Sequence, residues 1–117
     1  MRLQVGQDIY FLDFIHEAWP NFRRMPNSEL ERVLGREVMS SDDVWVQIDN
    51  GMTYCEIKDL DGKLLFEGQS KAGLGDRFSK RTGRKISFGR AIAELGPGMR
   101  RIWWDAYFKV LPKDMRG

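Results

Sequence analysis

Val44-Trp45-Val46-Gln47-Ile48-Asp49-Asn50-Gly51-Met52-Thr53-Tyr54-Cys55-Glu56-Ile57-Lys58 is the stretch on which the fold turns. Apolar and polar residues alternate on either side of Asn50-Gly51, the strongest two-residue hairpin signal. The reading is two strands, 44–48 and 53–58, joined by a type I′ turn with both central residues at positive φ. Asp59-Leu60-Asp61-Gly62 turns the chain again, and Lys63 to Gly68 returns as a third strand. The expected unit is a three-stranded antiparallel meander. Glu56, Lys58, Lys63 and Glu67 mark its wet face.

Outward from that unit the signals are helical. Ser28 followed by Glu31 reads as a capping box, and Gly35 supplies a left-handed stop. A short N-terminal helix is therefore expected over 27–35, with Leu30, Val33 and Leu34 facing inward. Further upstream, Ile9-Tyr10-Phe11-Leu12-Asp13-Phe14-Ile15 is almost continuously apolar and reads equally as a buried strand or part of a helix. Trp19-Pro20 ends it, because the residue before proline avoids helical geometry. Downstream, residues 69–75 read as a loop and 76–80 as a single helical turn. Arg84 to Leu95 reads as a helix with Phe88, Ile92 and Leu95 inward, and Met99 to Leu111 as a last helix stopped by Pro112. The fold class is α+β: a meander packed against C-terminal helices, in one domain over 1–117.

Composition narrows the function. The 117 residues contain 42% apolar side chains, dispersed, with no run near the roughly 20 needed to span a bilayer. The first residues carry one base and an early acid, unlike a signal peptide. Cys55 is the only cysteine and His16 the only histidine, so neither a disulfide nor a Cys/His metal cluster is expected. A lone thiol suits a reducing, cytoplasmic setting. Cys55 reads as a packing residue on a strand. Asp42-Asp43 and the Asp59-Leu60-Asp61-Gly62 turn suggest metal ligands only superficially, since Ser70 stands where a calcium loop needs its closing glutamate. No metal, cofactor or catalytic set is expected, and the chain reads as a non-enzyme.

Charge is the sharper signal. Residues 71–90 carry a net +6 against −4 for the other 97. Clustered guanidinium forks suit phosphate. The expected ligand-binding residues are Arg77, Phe78, Lys80, Arg81, Arg84, Lys85 and Arg90, with Arg77, Arg81 and Arg84 on one face, Arg84 in the first turn of a helix and Phe78 free to stack a ring. The competing reading is a solvated cationic face balanced by acids elsewhere. Gly73-Leu74-Gly75 with Gly83 lacks the pattern of a nucleotide fingerprint. The last helix has apolar residues on two sides, so Trp103, Trp104, Tyr107 and Phe108 are expected to serve an interface, in a homo-oligomer or against another protein.

The run Asp76-Arg77-Phe78-Ser79-Lys80-Arg81-Thr82-Gly83-Arg84-Lys85-Ile86-Ser87-Phe88-Gly89-Arg90-Ala91 resembles a segment of small phage and prophage accessory proteins: D-x-F-S-K/R-x-x-G-R, an apolar stretch, then R-A. Such proteins are similar in turn to phage anti-defence proteins that sequester nucleotide immune signals. The resemblance covers about 52–95 and implies Asp76, Phe78, Gly83, Arg84 and Arg90 as its key positions. Leu74 stands where a proline is expected and Ser87 where alanine is usual. The leading expectation is a counter-defence protein that captures a nucleotide signal or nucleic acid. The alternative is a protein-binding inhibitor of a host factor, such as a CRISPR-type defence complex.

Overall fold

The computed structural model describes residues 1–35 and 44–111. In chain order they form β1 (Arg2–Val5), β2 (Asp8–Glu17), β3 (Asn21–Arg24), α1 (Asn27–Leu34), β4 (Trp45–Asp49), β5 (Met52–Lys58), β6 (Leu64–Lys71), α2 (Lys80–Ala91) and α3 (Pro97–Val110). The class is α+β. Four antiparallel strands lie in the order β1-β2-β5-β6, and β3 pairs with β4 in a separate two-stranded ribbon.

The expected meander is corrected by this topology. β5 and β6 do form a hairpin through the 59–62 turn, where the Asp59 carboxylate accepts the Asp61 and Lys63 backbone N–H groups, both at 2.9 Å. Asn50-Gly51, however, is not a hairpin turn. A strand has two edges, and both edges of β5 are occupied, one by β6 and the other by β2. The apolar run 9–15 is thus a strand, paired back to β1 through a turn at Gly6 with φ +64°. β4 leads into β5 across Asn50-Gly51 while β2 leads into β3 across 18–20. The β3–β4 ribbon accordingly continues the β2–β5 ladder as an arm, and the described chain measures 62 Å along its long axis against 28 and 25 Å.

The arm has little core of its own. Arg23 pairs with Glu29 of α1 at 3.2 Å, and among the described residues of the arm Leu30 is the one buried apolar side chain. Val33 and Leu34 are exposed rather than inward. α1 starts after Pro26 without a side-chain cap, so the expected Ser28–Glu31 box does not form, while Gly35 does end the helix at φ +68°. Asp42-Asp43 and Pro112 lie outside the described residues.

Alternation places one set of side chains on the inner face of the four-stranded sheet. Leu12, Ile57 and Phe66 form one row across β2, β5 and β6; Phe14, Cys55 and Gly68 form the next. α2 and α3 cover these rows. Phe88, Ile92, Trp103, Tyr107 and Leu111 are buried against Leu3, Leu12, Cys55 and Ile57. Backbone approach is close where α2 crosses the sheet: a Cβ on Gly68 would lie 2.1 Å from the Ser87 carbonyl oxygen, and one on Gly83 would lie 2.2 Å from Thr53 Oγ1. Two glycines therefore set how near α2 comes.

Candidate functional site

The inner face changes character at one end. The third row across β2, β5 and β6 is His16, Thr53 and Ser70, in register with one another. His16 Nδ1 lies 3.1 Å from Thr53 Oγ1. Above this polar row the first turns of α2 leave a cleft of about 360 Å³, lined by Thr53, Ser70, Lys71, Ala72, Asp76, Arg77, Phe78, Ser79, Thr82, Gly83 and Ile86. Four hydroxyl residues, an aromatic ring, two cationic residues and one acid, Asp76, thus border one hollow.

The loop before α2 is held in place from a distance. The Asn50 side-chain amide donates to the carbonyls of Gly73 (3.3 Å), Leu74 (3.2 Å) and Asp76 (2.8 Å). Its own carbonyl accepts from the Gln47 amide. Gly51 N–H donates to the buried Asp49 carboxylate at 2.9 Å, which also accepts from Asn21 at 2.8 Å. Gly51 must be a glycine: φ is +130°, and a Cβ would meet the Glu17 carbonyl oxygen at 2.5 Å and the Phe78 ring at 2.7 Å. The pair read from sequence as a turn instead clamps the loop and seats Phe78. At the helix start, Ser79 Oγ accepts the Thr82 backbone N–H at 3.3 Å, so α2 begins at Lys80 rather than Arg84 and runs through Gly83.

This start redistributes the basic segment. Arg77 and Phe78 line the cleft, Phe78 edge-on to His16 with ring centroids 6.2 Å apart. Lys80, Arg81 and Lys85 are exposed, Lys80 lying one turn before Gly83 and Arg84, near enough for its charge to act on His16. Arg84 is a correction: it is only 8% exposed, on the inner helix face with Gly83, Ser87, Phe88 and Ala91, because the helix begins one turn earlier than its spacing suggested. It therefore does not share a face with Arg77 and Arg81. Arg90 lies roughly 15 Å beyond Lys80 along the helix axis and donates to the Gln69 carbonyl at 2.8 Å. Among the described residues Lys71, Arg77, Lys80 and Lys85 form no ion pair. The solvated-face reading required balancing acids; the one acidic residue that lines this cleft is Asp76, which pairs with none of them.

The field of this segment is felt at the polar row. His16 titrates below its ordinary 6.5, chiefly because it is buried and then because the charges of Arg84 and Lys80 oppose a further proton. Cys55 lies in the neighbouring apolar row with its thiol pushed up to about 12, mainly by burial, so it stays protonated and uncharged at neutral pH. Among the described residues no group of three His, Cys, Asp or Glu side chains is placed to hold a metal ion. No described helix is long and apolar enough to cross a membrane.

The aromatic helix is the second correction. Trp103 and Tyr107 are buried, Trp103 against Tyr10 at 4.8 Å and Tyr107 against Phe88 at 4.6 Å. Trp104 is half-buried between Phe88 and Phe108, at 4.9 and 5.7 Å. The sheet and α2 between them cover two sides of α3, which local pattern alone did not anticipate. Phe108 alone of the four is exposed. Large exposed aromatics sit instead on and beside the arm, at Trp19, Phe22 and Trp45, the last 63% exposed.

Thr53, Ser70, Ser79 and Thr82 escaped the reading of the sequence, which had Lys71 only as part of the basic segment 71–90. The available signal was the period-2 pattern itself, in which the inward positions turn polar at His16, Thr53 and Ser70. Comparison with known protein families, curated proteins and solved structures returns no match for this chain.

Proposed function

We propose that this protein is a non-catalytic, phage-type accessory protein that captures an anionic ligand in the cleft beside α2. The observation that carries the reading is the polar row His16–Thr53–Ser70 under a hollow bordered by Lys71 and Arg77. Hydroxyls along the wall with two cationic residues, Lys71 and Arg77, against the single acid Asp76, suit an oxyanion. Phe78 offers a ring face or edge to the remainder of the ligand. The ligand classes are a nucleotide signal or a nucleic acid, and the counter-defence role follows from the resemblance of the Asp76–Ala91 run. A cytoplasmic setting goes with that role.

Thermal shift against nucleotides and oligonucleotides at low and high salt tests it. A ligand at 100 times its Kd stabilises the fold by about 2.7 kcal/mol. Arg77→Ala and Lys71→Ala abolish the shift if the cleft is the site, whereas Lys63→Ala just after the 59–62 turn leaves it intact. Equal loss from all three would mean diffuse charge and would remove the reading.

A protein-binding inhibitor of a host factor is the second reading, favoured by the exposed arm. Trp19, Phe22 and Trp45 are large apolar side chains that the described fold leaves uncovered. Phe22→Ser with Trp45→Ser abolishes biological inhibition under this reading while leaving cleft binding unchanged.

A further inference from the structure

Ser70 is the residue in the cleft whose chemistry is least accounted for by folding. It is 6% exposed on the inner face of β6, and its hydroxyl makes no hydrogen bond among the described residues, yet it borders the hollow. The hydroxyl is not sealed off: it opens onto the hollow, where an occupant can supply its partner. Its neighbour in the row differs: Thr53 Oγ1 is engaged by His16. The hollow is lined as well by Ser79, the cap of α2, and by Thr82 in its first turn, together with Arg77, Lys71 and Asp76.

We infer that Ser70, with Thr82, Ser79, Lys71 and Arg77, forms a seat for one compact phosphate-type oxyanion, either free or as the terminal group of a small ester. This deepens the anion-capture reading and rests on it. Two observations select a small ligand over a polymer backbone. The hollow's volume of about 360 Å³ is at the low end for small-molecule pockets. Ser70 is a buried residue of the sheet wall, whereas a strand tracking the surface would meet the exposed Lys80, Arg81 and Lys85 first. Phosphate suits this lining because its oxygens accept from several directions at once, and hydroxyl residues of β6, of the α2 cap and of the first turn of α2 border the hollow. Phe78 lies beside the seat for any ring an ester carries.

The test is a two-dimensional amide NMR titration of the whole chain with inorganic phosphate, phenyl phosphate and a ten-residue oligodeoxythymidylate. Saturable shifts at Ser70, Lys71, Ser79 and Thr82 are expected with phosphate. Ser70→Ala weakens phosphate about tenfold, the worth of one hydrogen bond to a charged group, and Lys63→Ala leaves it unchanged. Thr82→Val acts in the same direction and serves if Ser70→Ala does not fold. Tighter binding of phenyl phosphate identifies the ester as the source, and equal binding identifies free phosphate; either supports the seat. Unsaturable shifts, or phosphate affinity untouched by Ser70→Ala and Thr82→Val, overturn it. Oligonucleotide binding that survives both variants overturns the seat while anion capture stands, and failure of every probe at low salt overturns both.

Discussion

Gly83 and Gly68 occupy places that no larger side chain fits, and each is testable by one methyl group. Alanine at 83 gains about 1 kcal/mol of helix propensity but drives its Cβ into the Thr53 hydroxyl, 2.2 Å away. We expect Gly83→Ala to be destabilised by about 1–3 kcal/mol in urea unfolding, and Gly68→Ala by more, because its obstacle is the α2 backbone. Gly75→Ala, with open space around it, stays neutral or gains slightly. His16 gives a pH signature. Its folded pKa lies below the unfolded value, so the unfolded chain binds the proton first as pH falls. Its contribution to stability is complete above about 6.5 and is withdrawn as pH drops from there through the lower folded value. Acid melting curves of the wild type should fall faster through that window than those of His16→Asn. A bound oxyanion raises the His16 pKa, since it offsets Arg84 and Lys80. Cys55, with its thiol at about 12, should resist alkylation at pH 8 until the chain unfolds, and Cys55→Ser should leave ligand binding intact.

At the scale of elements, the Asn50-Gly51 pair shows how one dipeptide serves different ends. Its residues have the propensity for a tight turn, but Asn50 spends its amide on three carbonyls of the 73–76 segment. Asn50→Ala should free that segment, accelerate amide exchange over 72–79 and weaken ligand binding, with a stability loss of about 1–3 kcal/mol. Asn50→Asp should be worse than alanine, because a carboxylate then faces carbonyl oxygens. Retention of slow exchange in both variants would show that the loop stands without the clamp. Within α2, the early start at Ser79 turns Arg84 inward. Arg84→Ala should therefore lower the melting temperature markedly, unlike a change at exposed Lys85, and it is a poor probe of ligand binding.

For the whole molecule, the division between body and arm predicts two stability regimes. Trp103→Ala opens the core beside Tyr10 and Phe66 and should cost about 3–5 kcal/mol. Trp45→Ser on the arm should stay within about 0.5 kcal/mol. Two-stranded ribbons are marginal alone, so arm amides should exchange before those of β2, β5 and β6. Comparable costs at both tryptophans would mean that the arm is packed into the body after all. Burial of Trp103 and Tyr107 also moves any self-association surface on α3 to Met99, Ile102 and Phe108, the large apolar residues it leaves exposed.

Local periodicity determined a good deal on its own: strands read at 44–48, 53–58 and 63–68, the last extended by the structure through Lys71 into what read as a loop, their alternating faces, the 59–62 turn, Cys55 as packing, and the helices carrying Phe88 and Trp103. Each depends on contacts near in sequence or on a period that any window displays. The basic segment was equally visible as charge. Only the tertiary structure decided which strands pair, because β2 reaches β5 from about forty residues away and claims the edge that a local hairpin needed. For the same reason the site stayed hidden. His16, Thr53 and Ser70 come from three strands and become one row only through register, while the phase of α2, set by the Ser79 cap, decides that Thr82 faces them and Arg84 turns to the core.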